Sequence, residues 1–172
     1  DFCLSRGLGD VYKRQFLNSR LEINMNIFYL DKHSGLAAQA LCDMHTVAMT
    51  KETAQILCSA HEPDTAPYKR THYNHPCSVW ARSSKQNYLW LCQYGIHVTQ
   101  EYMHRYGKTH KSGSVILWCR ENIDKLDLPD KPFTEPPLCM PSQYWSDDTV
   151  ASYRAYYICL LYTSDAADEE DS

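Results

Sequence analysis

Residues 36–60 read LAAQALCDMHTVAMTKETAQILCSA, and this stretch decides the fold class. It holds neither Gly nor Pro, and Ala recurs at positions 37, 38, 40, 48 and 54, so its intrinsic preference is helical. Leu41, Met44, Val47 or Ala48, and Leu57 recur at helical spacing and give it an apolar face. Residues 31–35 supply a turn and a cap in front of it, and Pro63 and Pro67 end it. The stretch therefore predicts one long helix.

Working outward, residues 26–30 form a short apolar run, and residues 61–75 form a polar loop rich in His and Tyr. Pro76 stands where a helix can begin. A helical pattern runs from there to Tyr106, with Trp80, Tyr88, Leu91, Val98 and Tyr102 near one face and Gly107 as a stop. Residues 114–122 predict a short helix. Pro129, Pro132, Pro136, Pro137 and Pro141 make residues 127–141 an extended connection laid over the surface or core. Ser146, Asp147 and Asp148 supply a cap and an acidic first turn for a last helix carrying Val150, Tyr153, Arg154, Tyr156 and Tyr157. There is no repeat and no long alternating segment. The expected fold is all-α: a single compact domain of three to four main helices with a long Pro-rich connection.

The two ends read differently. Residues 10–15, DVYKRQ, and residues 159–163, CLLYT, can be encoded by one DNA sequence read in opposite orientations, and that sequence resembles a transposon-end sequencing adaptor. Residues 1–15 and 159–172 are therefore expected to be adaptor-derived, and residues 16–24 untranslated or leader material. The native part is expected to be a single domain over residues 25–158, starting at Met25 and truncated at its C-terminus.

With 44% hydrophobic and 22% charged residues the chain has the composition of a folded globular protein. No apolar run approaches the roughly 20 residues of a membrane span, and no secretory signal is visible, so a cytoplasmic protein without a membrane partner is expected. Residues 25–158 carry 13 basic and 13 acidic side chains. These are segregated: residues 66–120 hold eight basic against one acidic, and residues 121–148 hold two basic against seven acidic. A basic middle suits a polyanionic partner, and equally a solvated helix face set against an acidic segment. Cys42, Cys58, Cys77, Cys92, Cys119 and Cys139 are scattered without a CxxC pair and read as reduced, mostly buried thiols.

Four constellations could carry chemistry. His45 and Glu52 lie two helical turns apart on one face, with Lys51 adjoining, an arrangement open to acid/base work or to a plain polar surface. Thr71-His72-Tyr73-Asn74-His75-Pro76-Cys77 is dense in metal-capable groups, with His61 upstream, but fits no usual zinc spacing. Arg105, Lys108 and Lys111 with intervening hydroxyls suit phosphate contacts or a solvated helix end. Tyr153, Arg154, Tyr156 and Tyr157 offer stacking faces beside a cation, or core packing.

Several short matches carry a resemblance. Met25-Asn26-Ile27-Phe28-Tyr29-Leu30-Asp31, Cys42-Asp43-Met44-His45, Glu52-Thr53-Ala54-Gln55, Asn74-His75-Pro76 with Trp80, Asn87-Tyr88 with Trp90-Leu91, Arg105-Tyr106-Gly107-Lys108 and Tyr153-Arg154 with Tyr156-Tyr157 resemble a protein family common in phages. That family is distantly similar to the pyrimidine-dimer DNA glycosylases of the endonuclease V type. The resemblance implies an all-α, phage-encoded enzyme of the host cytoplasm that acts on double-stranded DNA as a glycosylase and abasic-site lyase. It further implies an α-amine nucleophile at Asn26, a catalytic Glu52 assisted by His45, and no metal or other cofactor. Phosphates and bases would be held by Lys51, Lys69, Arg70, Arg82, Arg105, Lys108, Lys111, Tyr153, Arg154, Tyr156 and Tyr157. The alternative is a non-catalytic protein on the same scaffold that binds DNA or a host factor; a third reading is a metal-dependent nuclease using His72 and His75.

Overall fold

The computed structural model describes residues 25–169, with side chains as far as Leu161. The expected adaptor and leader segments at residues 1–15 and 16–24 lie outside the described residues. Among these residues there are six α-helices and no strand: α1 Ser34–Gln39, α2 Asp43–Ser59, α3 Pro76–Arg82, α4 Lys85–Tyr106, α5 Lys111–Glu121 and α6 Thr149–Glu169. Short 3-10 turns occupy Ile123–Lys125 and Ser142–Tyr144. The all-α expectation holds, and six helices stand where three to four were expected.

The difference arises at two breaks. The stretch 36–60 is not one helix but α1 and α2, because the chain turns at residues 40–42. There the backbone groups freed from the helical ladder find side-chain partners. Cys42 N donates to the Tyr157 hydroxyl at 2.8 Å, while the Arg105 guanidinium takes the carbonyls of Leu41 and Gln39 at 2.8 and 3.2 Å. The second break, at Ser83 and Ser84, divides the expected helix 76–106 into α3 and α4. Ser84 caps α4 by accepting from Gln86 N, and its hydroxyl donates to Lys131 O at 2.6 Å. Asn87 then holds Thr134 from both sides, its Oδ1 accepting from Thr134 N and its Nδ2 donating to Thr134 Oγ1. The Pro-rich connection thus satisfies the break, which no local propensity could show.

Other boundaries follow sequence chemistry. Pro76 opens α3, and the His75 ring caps it by accepting from Cys77 N. Gly107, at φ 63°, closes α4 in the left-handed conformation. His110 caps α5 by accepting from Ser112 N, so that helix starts three residues before the expected one. Asp148 Oδ1 accepts from Ala151 N and caps α6, which runs on past residue 158 without a break.

The core lies between α2, α4 and α5. At Gly95 these helices come so close that a Cβ would sit 2.8 Å from Thr53 Cγ2 and 2.9 Å from Ile116 Cδ1. Residues 25–30 run without regular secondary structure through the interior and are all buried. Tyr29 packs on Trp90, and Arg154 of α6 donates to Leu30 O at 2.7 Å. All the described cysteines are free thiols, as expected. No helix among the described residues is long and apolar enough to cross a membrane.

Candidate active site

Glu52 sits in the middle of α2 and points at the buried N-terminal run. Its Oε2 accepts from Asn26 N at 3.1 Å. Burial pushes the Glu52 carboxyl up from 4.5 to about 7, against the opposing pull of the Asn26 N–H and the Lys51 ammonium. A carboxyl group in that range populates both protonation states near neutrality, which is what a proton carrier needs.

The position of Asn26 is over-determined. Its Nδ2 donates to Cys139 O at 3.0 Å, and its Oδ1 accepts from Ile27 N at 2.8 Å and Phe28 N at 3.4 Å. Met25 and Phe28 hold positive φ angles of 66° and 47°, so the run is kinked on both sides of residue 26. Such conformations cost energy and persist only when the surroundings enforce them.

His45 does not turn toward Glu52. Its Nδ1 lies 2.8 Å from the Tyr157 hydroxyl and 3.4 Å from Cys42 Sγ, and its ring rests 4.9 Å from that of Phe28. Tyr157 accepts from Cys42 N and shares a second hydrogen bond with His45 Nδ1. Burial holds the His45 pKa below the usual histidine value and favours the neutral imidazole. His45 therefore supports Phe28, two residues from Asn26.

Tyr94 was missed by the sequence reading and belongs to this corner. It is fully buried, and its hydroxyl has no hydrogen-bond partner among the described residues. Its pKa is driven well up by burial, with the charges of Tyr157 and Glu52 adding to the effect. Thr53 Oγ1, next in sequence to Glu52, is buried and unpartnered as well. The spacing 87, 91, 94, 98 on α4 marks Tyr94 as inward-facing, but nothing in the sequence ties its hydroxyl to Glu52.

The residues expected to meet DNA separate into two sets. Lys51, Lys69, Lys108 and Lys111 are exposed. The guanidinium carbons of Arg70 and Arg82 lie 4.6 and 3.7 Å from the ring centroid of half-exposed Tyr73. Tyr156 is half-buried against Tyr144. Of the others, Arg105, Tyr153 and Tyr157 are engaged inside the molecule, and Arg154 is held at the surface. Arg105 binds Glu101, Asp43 and two backbone carbonyls. Arg154 binds Leu30 O and Asp31. Tyr153 is fully buried with its hydroxyl on Pro137 O, and Tyr157 is buried on His45. In this conformation neither Tyr153 nor Tyr157 presents a face on which a base could stack. The Tyr157 ring packs instead against Phe28 and His45.

His72 is exposed, whereas His75 and Cys77 lie close to Cys139. The metal-nuclease pairing of His72 with His75 has no support from the metal-capable group the structure brings together.

No match was found among curated proteins or among solved structures. A family model described as pyrimidine dimer DNA glycosylase does match, over residues 25–113. That span starts one residue before Asn26, contains Glu52 and covers just over half of the chain, so the protein belongs to the pyrimidine dimer DNA glycosylase family.

Proposed function

We propose that the protein acts on double-stranded DNA carrying damaged or modified bases, as a DNA glycosylase with abasic-site lyase activity. The nucleophile is an α-amine at position 26 and the proton carrier is Glu52. The observation that carries this reading is the 3.1 Å separation between the nitrogen of residue 26 and the Glu52 carboxylate.

In the chain as written that nitrogen belongs to a peptide bond and is not nucleophilic. In a chain beginning at Asn26 the same nitrogen is a primary amine, with a pKa near 8 that leaves a useful neutral fraction at physiological pH. The neutral amine attacks C1′ of the deoxyribose, forming the N–C1′ bond as the bond from C1′ to the base breaks. The base leaves with the electron pair and takes up a proton. Opening of the C1′–O4′ bond gives an imine, the usual product of amine nucleophilic catalysis, and O4′ receives a proton. Protonated Glu52 supplies that proton. As the carboxylate it then takes the C2′ proton, and the C3′–O bond breaks to release the phosphate and nick the strand. One carboxyl that cycles between its protonated and ionised forms serves both steps.

To reach this corner a nucleotide must leave the base stack. Lys51, Lys69, Lys108 and Lys111, with Arg70 and Arg82 beside Tyr73, supply phosphate contacts for the distorted duplex. His45 positions the corner by supporting Phe28, and the unpartnered Tyr94 hydroxyl is a further candidate for a role there.

Borohydride trapping on duplex DNA containing an abasic site tests the reading. A chain beginning at Asn26 is expected to form a covalent adduct, and Glu52→Gln to lower its rate of formation and strand cleavage by about 10²–10⁴-fold. An unchanged rate in Glu52→Gln would remove Glu52 from the chemistry. Salt-dependent DNA binding without any adduct would favour the non-catalytic alternative.

A further inference from the structure

We propose that His75, Cys77 and Cys139 form a binding site for one Zn²⁺ ion, with a fourth position taken by water. The ion would tie the Pro-rich connection to the start of α3 directly behind residue 26.

The ligand atoms of these three residues all lie within 4.8 Å of one another, the one such group among the described residues. Cys77 is fully buried, while His75 and Cys139 are half-buried, so an ion can enter from one side and leave room for water. The sulfurs of Cys77 and Cys139 are 3.5 Å apart. Two thiolates on a tetrahedral zinc, each at about 2.3 Å, stand about 3.8 Å apart, so the pair opens by only a few tenths of an ångström. A disulfide requires about 2.05 Å and would have to draw the sulfurs together by roughly 1.5 Å. The geometry therefore favours the metal over the covalent bond.

The donor chemistry agrees. Two sulfurs and an imidazole select zinc and other soft or borderline ions over magnesium and calcium. His75 Nδ1 accepts from Cys77 N at 3.2 Å, so that nitrogen carries a lone pair, the form a metal ion requires. Binding exchanges this long capping bond for a metal bond. The sequence could not reveal the site, because residues 71–77 supply two of the ligands and the third comes from 62 residues beyond Cys77.

The location gives the ion a consequence. Cys139 O holds the Asn26 side chain, so fixing Cys139 fixes the mount of residue 26. The proposal does not depend on the lyase chemistry. Cys58 and Cys119 provide an internal control, since their sulfurs are 3.6 Å apart without a third ligand gathered around them.

The test uses the full chain, reduced with a phosphine, loaded with ZnCl₂ and passed over a chelating resin, with metal measured by mass spectrometry. About one zinc per chain is expected, together with a thiolate-to-metal charge-transfer band when Co²⁺ replaces it. Cys139→Ala, at a half-buried position that the fold tolerates, should weaken zinc binding by more than about 100-fold, beyond what losing an outer partner causes. It should also abolish the rise in melting temperature that zinc gives the unaltered chain. Cys119→Ala should retain both. The proposal is overturned if the reduced chain retains no zinc, if Cys139→Ala retains as much as the parent, or if Cys77 and Cys139 are recovered only as a disulfide that takes up no metal after reduction.

Discussion

Two corners of the molecule gather polar side chains around the buried N-terminal run, and they differ in how fully those groups are satisfied. In one, Arg105, Tyr153 and Tyr157 have all found partners. Arg105 holds two carboxylates and two carbonyls, Tyr157 accepts from Cys42 N and meets His45, and Tyr153 donates to Pro137 O. Around Glu52 capacity is left over. A carboxyl group is buried beside the nitrogen of residue 26, and the Tyr94 and Thr53 hydroxyls are buried without partners. Burying such groups costs free energy that a purely structural corner has no reason to bear. The first set holds the fold together; the second keeps a titratable carboxyl and two unpartnered hydroxyls buried.

The sharpest way to break this contrast is through pH. On folding, the Glu52 carboxyl rises from 4.5 to about 7, so the folded state keeps a proton that the unfolded state releases between those values. Its contribution to stability is full below 4.5 and is lost as pH rises through 7. In the full chain Glu52→Gln should therefore be more stable than the parent at pH 8, by at most about 3 kcal/mol and less where water reaches the carboxylate. At pH 4 the two should be nearly equal. Urea denaturation at both values measures the difference, and an equal effect at both would show that Glu52 does not titrate as described.

In the Arg105 corner the sign reverses. Arg105→Ala removes the guanidinium that closes the α1–α2 break and should cost about 2 kcal/mol in urea unfolding. DNA affinity, measured well below the unfolding midpoint, should change little. A large affinity loss at unchanged stability would return Arg105 to the DNA surface. Tyr157→Phe deletes the hydroxyl shared by Cys42 N and His45 and should cost about 1–2 kcal/mol.

Much of the fold was legible because helices announce themselves locally. Pro76, Gly107 and the acidic cap at Asp148 mark boundaries by backbone chemistry alone, and the five prolines of residues 127–141 rule out regular structure. The breaks at residues 40–42 and at Ser83–Ser84 were not legible. Residues 36–60 have every local reason to stay helical, and what ends α1 is Arg105 and Tyr157, brought from 64 and 115 residues away. The site divides the same way. Glu52 could be singled out by its helical position and its resemblance, but its separation from Asn26 could not, because it depends on how residues 25–30 thread the core. The burial of Tyr153 and Tyr157 was likewise not legible, because an aromatic stretch beside an arginine suits a stacking surface and a packed core alike.

The smallest expected effect lies at the exposed cations. Lys108→Ala with Lys111→Ala should leave stability unchanged and reduce the slope of log affinity against log salt by about 2. An unchanged slope would place DNA on another face.

The most direct measurement is the identity of the atom that becomes bonded to DNA. A chain beginning at Asn26 is reacted with abasic duplex DNA, reduced with borohydride, digested and mapped by mass spectrometry. The account predicts that the sugar fragment is carried on the α-nitrogen of the peptide that starts at residue 26. A fragment carried instead on a lysine side chain, or no adduct from a folded chain that binds the same DNA, would contradict it.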